Sequence, residues 1–282
     1  MTQITKDPFG QPHIAVRTPV ATGSVHLHGA TVTGWTPAKH EPVLWVSSKS
    51  IFDGQTPIRG GVPICAPWFG AHATDPDAPA HGLVRVEPWT LDHSGISEEE
   101  TLLGLGLEMP GLTYTYGVML GHTLKMVLEI TNTGDAERRV EAALHTYLAV
   151  SDAREVTVTG LENAAYLDKA GGSPAGSSAV AATGEPIRFT AETDRVYVDT
   201  DDDVVLHDPG LNRRITVAKD GGRSTVVWNP WVAKSARMKD FGDDEWTGMC
   251  CIESAAVGDD AWTLAPGAAA TLTAHVSVET AG

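Results

Sequence analysis

The chain has 282 residues, 42% of them hydrophobic, and 36 acidic against 20 basic side chains give it a formal charge of −16. That much apolar material excludes an intrinsically disordered chain, and the acidic balance excludes a sequence-independent binder of nucleic acid or of anionic membrane. With 29 glycines and 17 prolines the chain is interrupted too often for long helices.

Read from the N-terminus, Lys6, Asp7 and Pro8 stand where a secretion signal would carry an apolar run. No stretch reaches the ~18 apolar residues of a membrane span. Strands are expected at 24–27, 43–46 and 101–107. The clearest is 123–131, where Leu124, Met126, Leu128 and Ile130 alternate with polar residues. A turn at Asn132-Thr133-Gly134-Asp135 leads into a strand over 139–150, with Val140, Ala142 and Leu144 on one face and Glu141, Ala143, His145 and Tyr147 on the other. The Ala/Gly/Ser stretch 170–182 reads as a surface connection. Further strands are expected at 155–158, 195–199, 204–207, 214–217, 224–228, 248–254 and 271–278, with one short helix or turn at 231–240. This pattern is all-β, a sandwich in one domain over 1–282. The three cysteines are odd in number, and the adjacent Cys250 and Cys251 point to opposite faces of a strand, so a reduced cytoplasmic protein is expected.

Most familiar chemical motifs are missing. Gly104-Leu105-Gly106 lacks the third glycine of a dinucleotide loop, and Gly171 to Gly176 has phosphate-loop spacing with Ser177 in place of the lysine. There is no Gly-x-Ser-x-Gly elbow. Asp199, Asp201 and Asp203 open like a calcium loop, but Val204 and Gly210 replace its glycine and terminal glutamate. His26 and His28 share a strand face with no carboxylate or cysteine ligand nearby in sequence, and read as a surface coincidence. No cofactor or metal is expected.

Two segments stand out. In Ile58-Arg59-Gly60-Gly61-Val62-Pro63-Ile64-Cys65-Ala66-Pro67-Trp68-Phe69-Gly70 a guanidinium precedes paired glycines and an aromatic, proline-stiffened stretch. Such a segment is either a packed corner or a rigid grip for a polar, flat-faced ligand. His81-Gly82-Leu83-Val84-Arg85 again sets a histidine beside an arginine. The eight tryptophans serve equally as core residues and as platforms for a sugar face.

These two segments resemble the D-hexose-6-phosphate mutarotases, a branch of the aldose 1-epimerase superfamily. The resemblance continues through Ala143-Leu144-His145-Thr146-Tyr147, Asp194-Arg195-Val196-Tyr197, Val227-Trp228-Asn229-Pro230-Trp231, Lys239-Asp240-Phe241 and Cys251-Ile252-Glu253, in the family's order over about 24–275. It implies a galactose-mutarotase-like β-supersandwich with the site on its concave face. It also implies that His145 and Glu253 are catalytic and that Arg59, Arg85, His81 and Asp194 bind substrate. Ala80 stands where some members carry glutamine, and Leu83-Val84 where Phe-Ala is usual.

The implied reaction interconverts α and β anomers of a hexose 6-phosphate, glucose 6-phosphate first. A base takes the C1 hydroxyl proton, an acid protonates the ring oxygen, the C1–C2 bond rotates, and the ring closes again. Glu253 is assigned as base and His145 as acid in the opening direction. Glu253 sits in a nearly apolar run from Met249, where a carboxylate is either ion-paired or functional. Two arginines on a phosphate would add roughly 3–6 kcal/mol of preference over the free hexose. Two alternatives stand beside this reading: an aldose 1-epimerase for unphosphorylated hexoses, and a carbohydrate-binding domain without turnover. The expected partner is a small sugar phosphate, with no nucleic acid or membrane and a monomeric state.

Overall fold

The structure is a computed structural model describing residues 3–170 and 179–282. Most of the expected connection at 170–182, with Gly171, Gly176 and Ser177, lies outside the described residues.

Strands β1 (Ile4–Lys6), β2 (Pro12–Arg17), β3 (Ala21–His26) and β4 (Val32–Pro37) form an antiparallel sheet in sequence order. After β5 (Ile64–Cys65) come β6 (Thr90–Ile96), β7 (Thr101–Met109), β8 (Leu112–Leu120) and β9 (Leu124–Asn132), each paired antiparallel with the next from β6 on. Short strands follow: β10 (Arg138–Val140), β11 (Ala142–Leu144), β12 (Tyr147–Ala149), β13 (Thr157–Thr159) and β14 (Tyr166–Asp168). The chain continues through β15 (Thr193–Tyr197), β16 (Val204–Asp208), β17 (Arg213–Asp220) and β18 (Ser224–Asn229). Helix α1 (Trp231–Ser235), β19 (Met249–Ala256), β20 (Trp262–Leu264) and β21 (Ala269–Thr280) complete it.

Two sheets dominate. One has eight strands in the order β13-β16-β17-β21-β9-β8-β7-β6, and the other runs β14-β15-β18-β19-β11-β5, with β12 also on β19. Leu124, Met126, Leu128 and Ile130 of β9 are fully buried, each contributing about 1.5–3 kcal/mol of apolar burial. They join Val227 of β18, Cys250 and Ile252 of β19, and Leu272 and Val276 of β21 in one core between the sheets. This is the sandwich expected from the sequence.

Two local expectations are corrected. The strand over 139–150 is three short strands, because Thr146 turns back to donate its N–H to the Leu144 carbonyl while His145 donates to Pro63. The segment 43–46 pairs only through isolated bridges, Leu44 with Leu148 and Val46 with Gly60. The short helix or turn expected at 231–240 is present: α1 ends at Ser235 and turns follow it. Among the described residues no helix is long and apolar enough to cross a membrane.

Candidate active site

Strand β19 is buried on both faces, which is why its sequence reads as almost continuously apolar. Cys250 and Ile252 point into the core, so Cys251 and Glu253 point to the opposite face. Pairing register carries that face across four strands. Asp194 of β15 lies beside Trp228 of β18, Trp228 beside Cys251, and Cys251 beside Tyr147 of β12. Glu253 stands one step along from this row, level with Val226.

His145 sits in the break between β11 and β12. Its Nε2 lies 3.4 Å from Oε1 of Glu253. The ring stacks on Tyr147 with centroids 4.6 Å apart and meets Trp228 edge-on at 6.1 Å. His145 and Glu253 are 7% and 1% exposed, and among the described residues His145 Nδ1 and Glu253 Oε2 have no hydrogen-bond partner. Buried polar atoms without partners are costly, so these two are placed to meet something that enters the site.

The arginines approach from the two segments singled out in the sequence. Gly61, at φ +67°, threads between Val32 and Tyr147; a Cβ there would strike the Val32 carbonyl. This places Arg59 with Nε and Nη2 on Oδ2 of Asp240 at 3.1 and 3.0 Å, and Nη1 donating to the Tyr147 hydroxyl at 3.0 Å. Gly82, at φ +78°, packs against the Ala66 carbonyl, and the preceding His81 is itself at φ +63°. Arg85 donates from Nη2 to the Ala80 carbonyl at 2.7 Å, and its Nε is buried without a partner among the described residues. The His81 ring meets His145 edge-on at 5.8 Å, and its Nδ1 accepts from the Gly70 N–H. On the far side, Asp194 receives Lys234 of α1 at 3.4 Å, while Lys234 also pairs with Glu192 and lies over Trp228.

All six residues therefore share one electrostatic neighbourhood. Burial, with help from His81, Arg59 and Arg85, drives the His145 pKa well below the usual imidazole value. Burial first, then the Asp194 carboxylate, push Glu253 well above the usual carboxylate range, against Lys169 and Arg85. His81 is lowered to about 3 by burial and the same two arginines. Asp194 is raised by burial, with Lys234 opposing. Burial works against the Arg59 charge, and Tyr147 and Asp240 more than offset it.

Sequence reasoning missed Tyr147, Trp228 and Asp240 as site residues, although each lies in a block that carried the family resemblance. It also missed Lys169 and Lys234, whose nearest sequence neighbours carry no motif. His26 and His28, read as a surface coincidence, are instead buried structural groups. His26 bonds Asp7 and Thr33, and His28 bonds the Thr56 carbonyl. Asp7 is the carboxylate the local sequence appeared to lack. A groove of about 1220 Å³, lined by Trp68, Phe69, Lys169, Val196 and Val257, extends the same sheet face beyond Glu253. It reaches the cluster at Phe69 and Lys169; His145 and Glu253 are not in its wall.

With this geometry the chain matches the aldose 1-epimerase family over residues 13–277. It belongs to that family. Similar members include a candidate glucose-6-phosphate 1-epimerase of Cenchrus ciliaris, 33% identical over 94% of this chain and 84% of the relative. A protein of the same description from Escherichia coli K12 is 35% identical over 86% of this chain and 82% of its own. The crystal structure of YeaD from Salmonella typhimurium, a candidate mutarotase, superposes with a TM-score of 0.89 at 28% identity, covering 99% of this chain and 97% of that one.

Proposed function

We propose that this aldose 1-epimerase interconverts the α and β anomers of a hexose 6-phosphate, glucose 6-phosphate first, with His145 and Glu253 as the acid–base pair. The observation that carries the reading is the buried pair at 3.4 Å, each partner holding an unbonded atom, with Arg59 and Arg85 close enough to bias its protonation.

Burial favours the neutral forms of both groups, a carboxylic acid and a free imidazole. Moving the one proton from Glu253 to His145 yields a carboxylate and an imidazolium without changing the total proton count. In that form Glu253 takes the proton from the C1 hydroxyl as His145 gives one to the ring oxygen, and the C1–O5 bond breaks to the open aldehyde. Rotation about C1–C2 presents the other carbonyl face. The hydroxyl at C5 then attacks C1, His145 recovers its proton, and Glu253 returns its proton to the new C1 oxygen. Both groups end as they began.

Arg85, with its unbonded Nε, offers a charge-assisted hydrogen bond to the phosphate. Arg59 is already held by Asp240 and Tyr147, so its share of the phosphate preference is smaller than an unpaired arginine would supply. Asp194, His81 and Trp228 are the groups available to the sugar hydroxyls and ring face. The test is to dissolve crystalline α-glucose 6-phosphate and α-glucose separately and follow optical rotation with catalytic protein. Acceleration over its own spontaneous rate for the phosphate, greater than any for the free sugar, supports the reading; acceleration of glucose alone, or of neither, overturns it.

A further inference from the structure

Ring opening as derived above leaves Cys251 unused, yet its thiol stands beside both reacting side chains. Cys251 and Glu253 are two residues apart on β19 and so share its site face. One ligand atom from each of His145, Cys251 and Glu253 falls within a cluster in which no pair is more than 4.8 Å apart, and all three residues are buried. The His145 Nε2 to Glu253 Oε1 separation of 3.4 Å is longer than a good N–H···O hydrogen bond. It matches the edge of a tetrahedron with bonds of ~2.0–2.1 Å, about 3.3–3.4 Å, which is the geometry of zinc bound by imidazole and carboxylate. The corresponding edge to a thiolate at ~2.3 Å is about 3.6 Å, so against separations of at most 4.8 Å the sulfur needs to close by about 1.2 Å at most.

A second observation points to a ligand here. Glu253 Oε2 is buried and has no hydrogen-bond partner among the described residues, so the carboxylate keeps an unsatisfied acceptor that a cation can use. The donor set of thiolate, imidazole and carboxylate favours a borderline-soft d¹⁰ cation over Mg²⁺ or Ca²⁺, which take oxygen ligands. A divalent cation with one thiolate and one carboxylate is formally neutral, which suits a site beside Arg59 and Arg85.

We propose that His145, Cys251 and Glu253 form a three-ligand site for a thiophilic divalent cation of the Zn²⁺ type, with its fourth position open to the sheet face, and that occupancy blocks the acid–base pair. Binding makes one bond each to Sγ, Nε2 and a carboxylate oxygen; the thiol proton, and the carboxyl proton when present, leave to water, and no redox change occurs. The blocking effect rests on the acid–base reading of His145 and Glu253, whereas metal binding does not.

The test uses the full chain, reduced and freed of metal, titrated with Co²⁺ as a spectroscopic probe. The expected result is one equivalent bound per chain, with a thiolate-to-cobalt charge-transfer band and the intense visible bands of four-coordinate cobalt. Zn²⁺ abolishes both by displacement. Cys251→Ala removes the charge-transfer band, and the volume-conserving Cys251→Ser does the same should the alanine variant fail to fold. Absence of the band in the parent, or its persistence in either variant, overturns the proposal. In the anomer-exchange assay Zn²⁺ inhibits the parent, and Cys251→Ala raises the half-inhibiting concentration by more than about tenfold, each protein being compared with its own metal-free rate. A cobalt band without zinc inhibition contradicts the acid–base roles and leaves the metal site standing.

Discussion

His145 lies flat on Tyr147, its ring plane 10° from parallel at a centroid distance of 4.6 Å, and the phenol beneath it accepts a hydrogen bond from Arg59. A continuous set of contacts thus runs from Asp240 through Arg59 and Tyr147 to the imidazole. One of the two arginines proposed to bind the phosphate, the one already held by Asp240, and the group proposed to move the proton rest on the same side chain.

Tyr147→Phe keeps the stack and loses only the hydrogen bond, worth about 1 kcal/mol, so kcat/KM for glucose 6-phosphate falls roughly fivefold. Tyr147→Leu frees the imidazole as well and lowers kcat by about tenfold to a hundredfold. Steady-state kinetics on both variants checks the split; equal losses in the two would refute a positioning role for the ring.

Arg85→Ala raises KM for the sugar phosphate by about tenfold to a hundredfold, the worth of one charge-assisted hydrogen bond, and affects any turnover of free glucose less, only through the altered protonation of His145 and Glu253. Arg59→Ala loses activity on both sugars, because it also strands Asp240 and releases Tyr147. Parallel assays on the two sugars separate the arginines.

Burial of neutral histidines ties stability to pH. The unfolded imidazole titrates near 6.5, whereas folded His81 is lowered to about 3. The folded state therefore binds fewer protons than the unfolded one as pH falls below about 6.5. Stability is fully present above that value and declines towards the folded pKa, by about 2 kcal/mol between pH 8 and pH 5. His145, shifted in the same direction, adds to the loss. Urea midpoints across that range should fall less steeply in His81→Asn than in the parent, and an unchanged slope would contradict the burial account.

Gly82→Ala forces a side chain at φ +78° into the Ala66 carbonyl and is expected to cost at least about 2 kcal/mol. Thermal or urea denaturation measures it, and a neutral result would show that this turn is not as tight as the structure has it.

The fold was legible where one face of a strand meets water and the other meets the core. The alternation at 123–131 became β9, and the apolar run before Glu253 became β19, buried on both faces. Strand β8 went unread although Leu112, Tyr114, Tyr116, Val118 and Leu120 are all buried and recur every second residue with strand-favouring threonines between them; only Gly117 and the apolar Met119 depart from that alternation. Periodicity gives the face on which a residue stands, and not the register that sets it beside a neighbour from a distant strand. Asp194, Trp228, Cys251 and Tyr147 become a row only through the pairing of four strands. The grouping of His145 with Glu253 therefore came from the family resemblance. Lys234, which neither alternation nor resemblance singled out, and the pairing of Asp240 with Arg59, which the resemblance left without a role, came from the structure.

The most direct measurement is two-dimensional exchange NMR of the C1 protons in anomerically equilibrated glucose 6-phosphate, with the parent and with folded Glu253→Gln and His145→Asn. The account expects the parent to accelerate α–β exchange well above the spontaneous rate and each variant to lose about 10²–10⁴ of that acceleration. Either variant exchanging the anomers at the parent's full rate would contradict it.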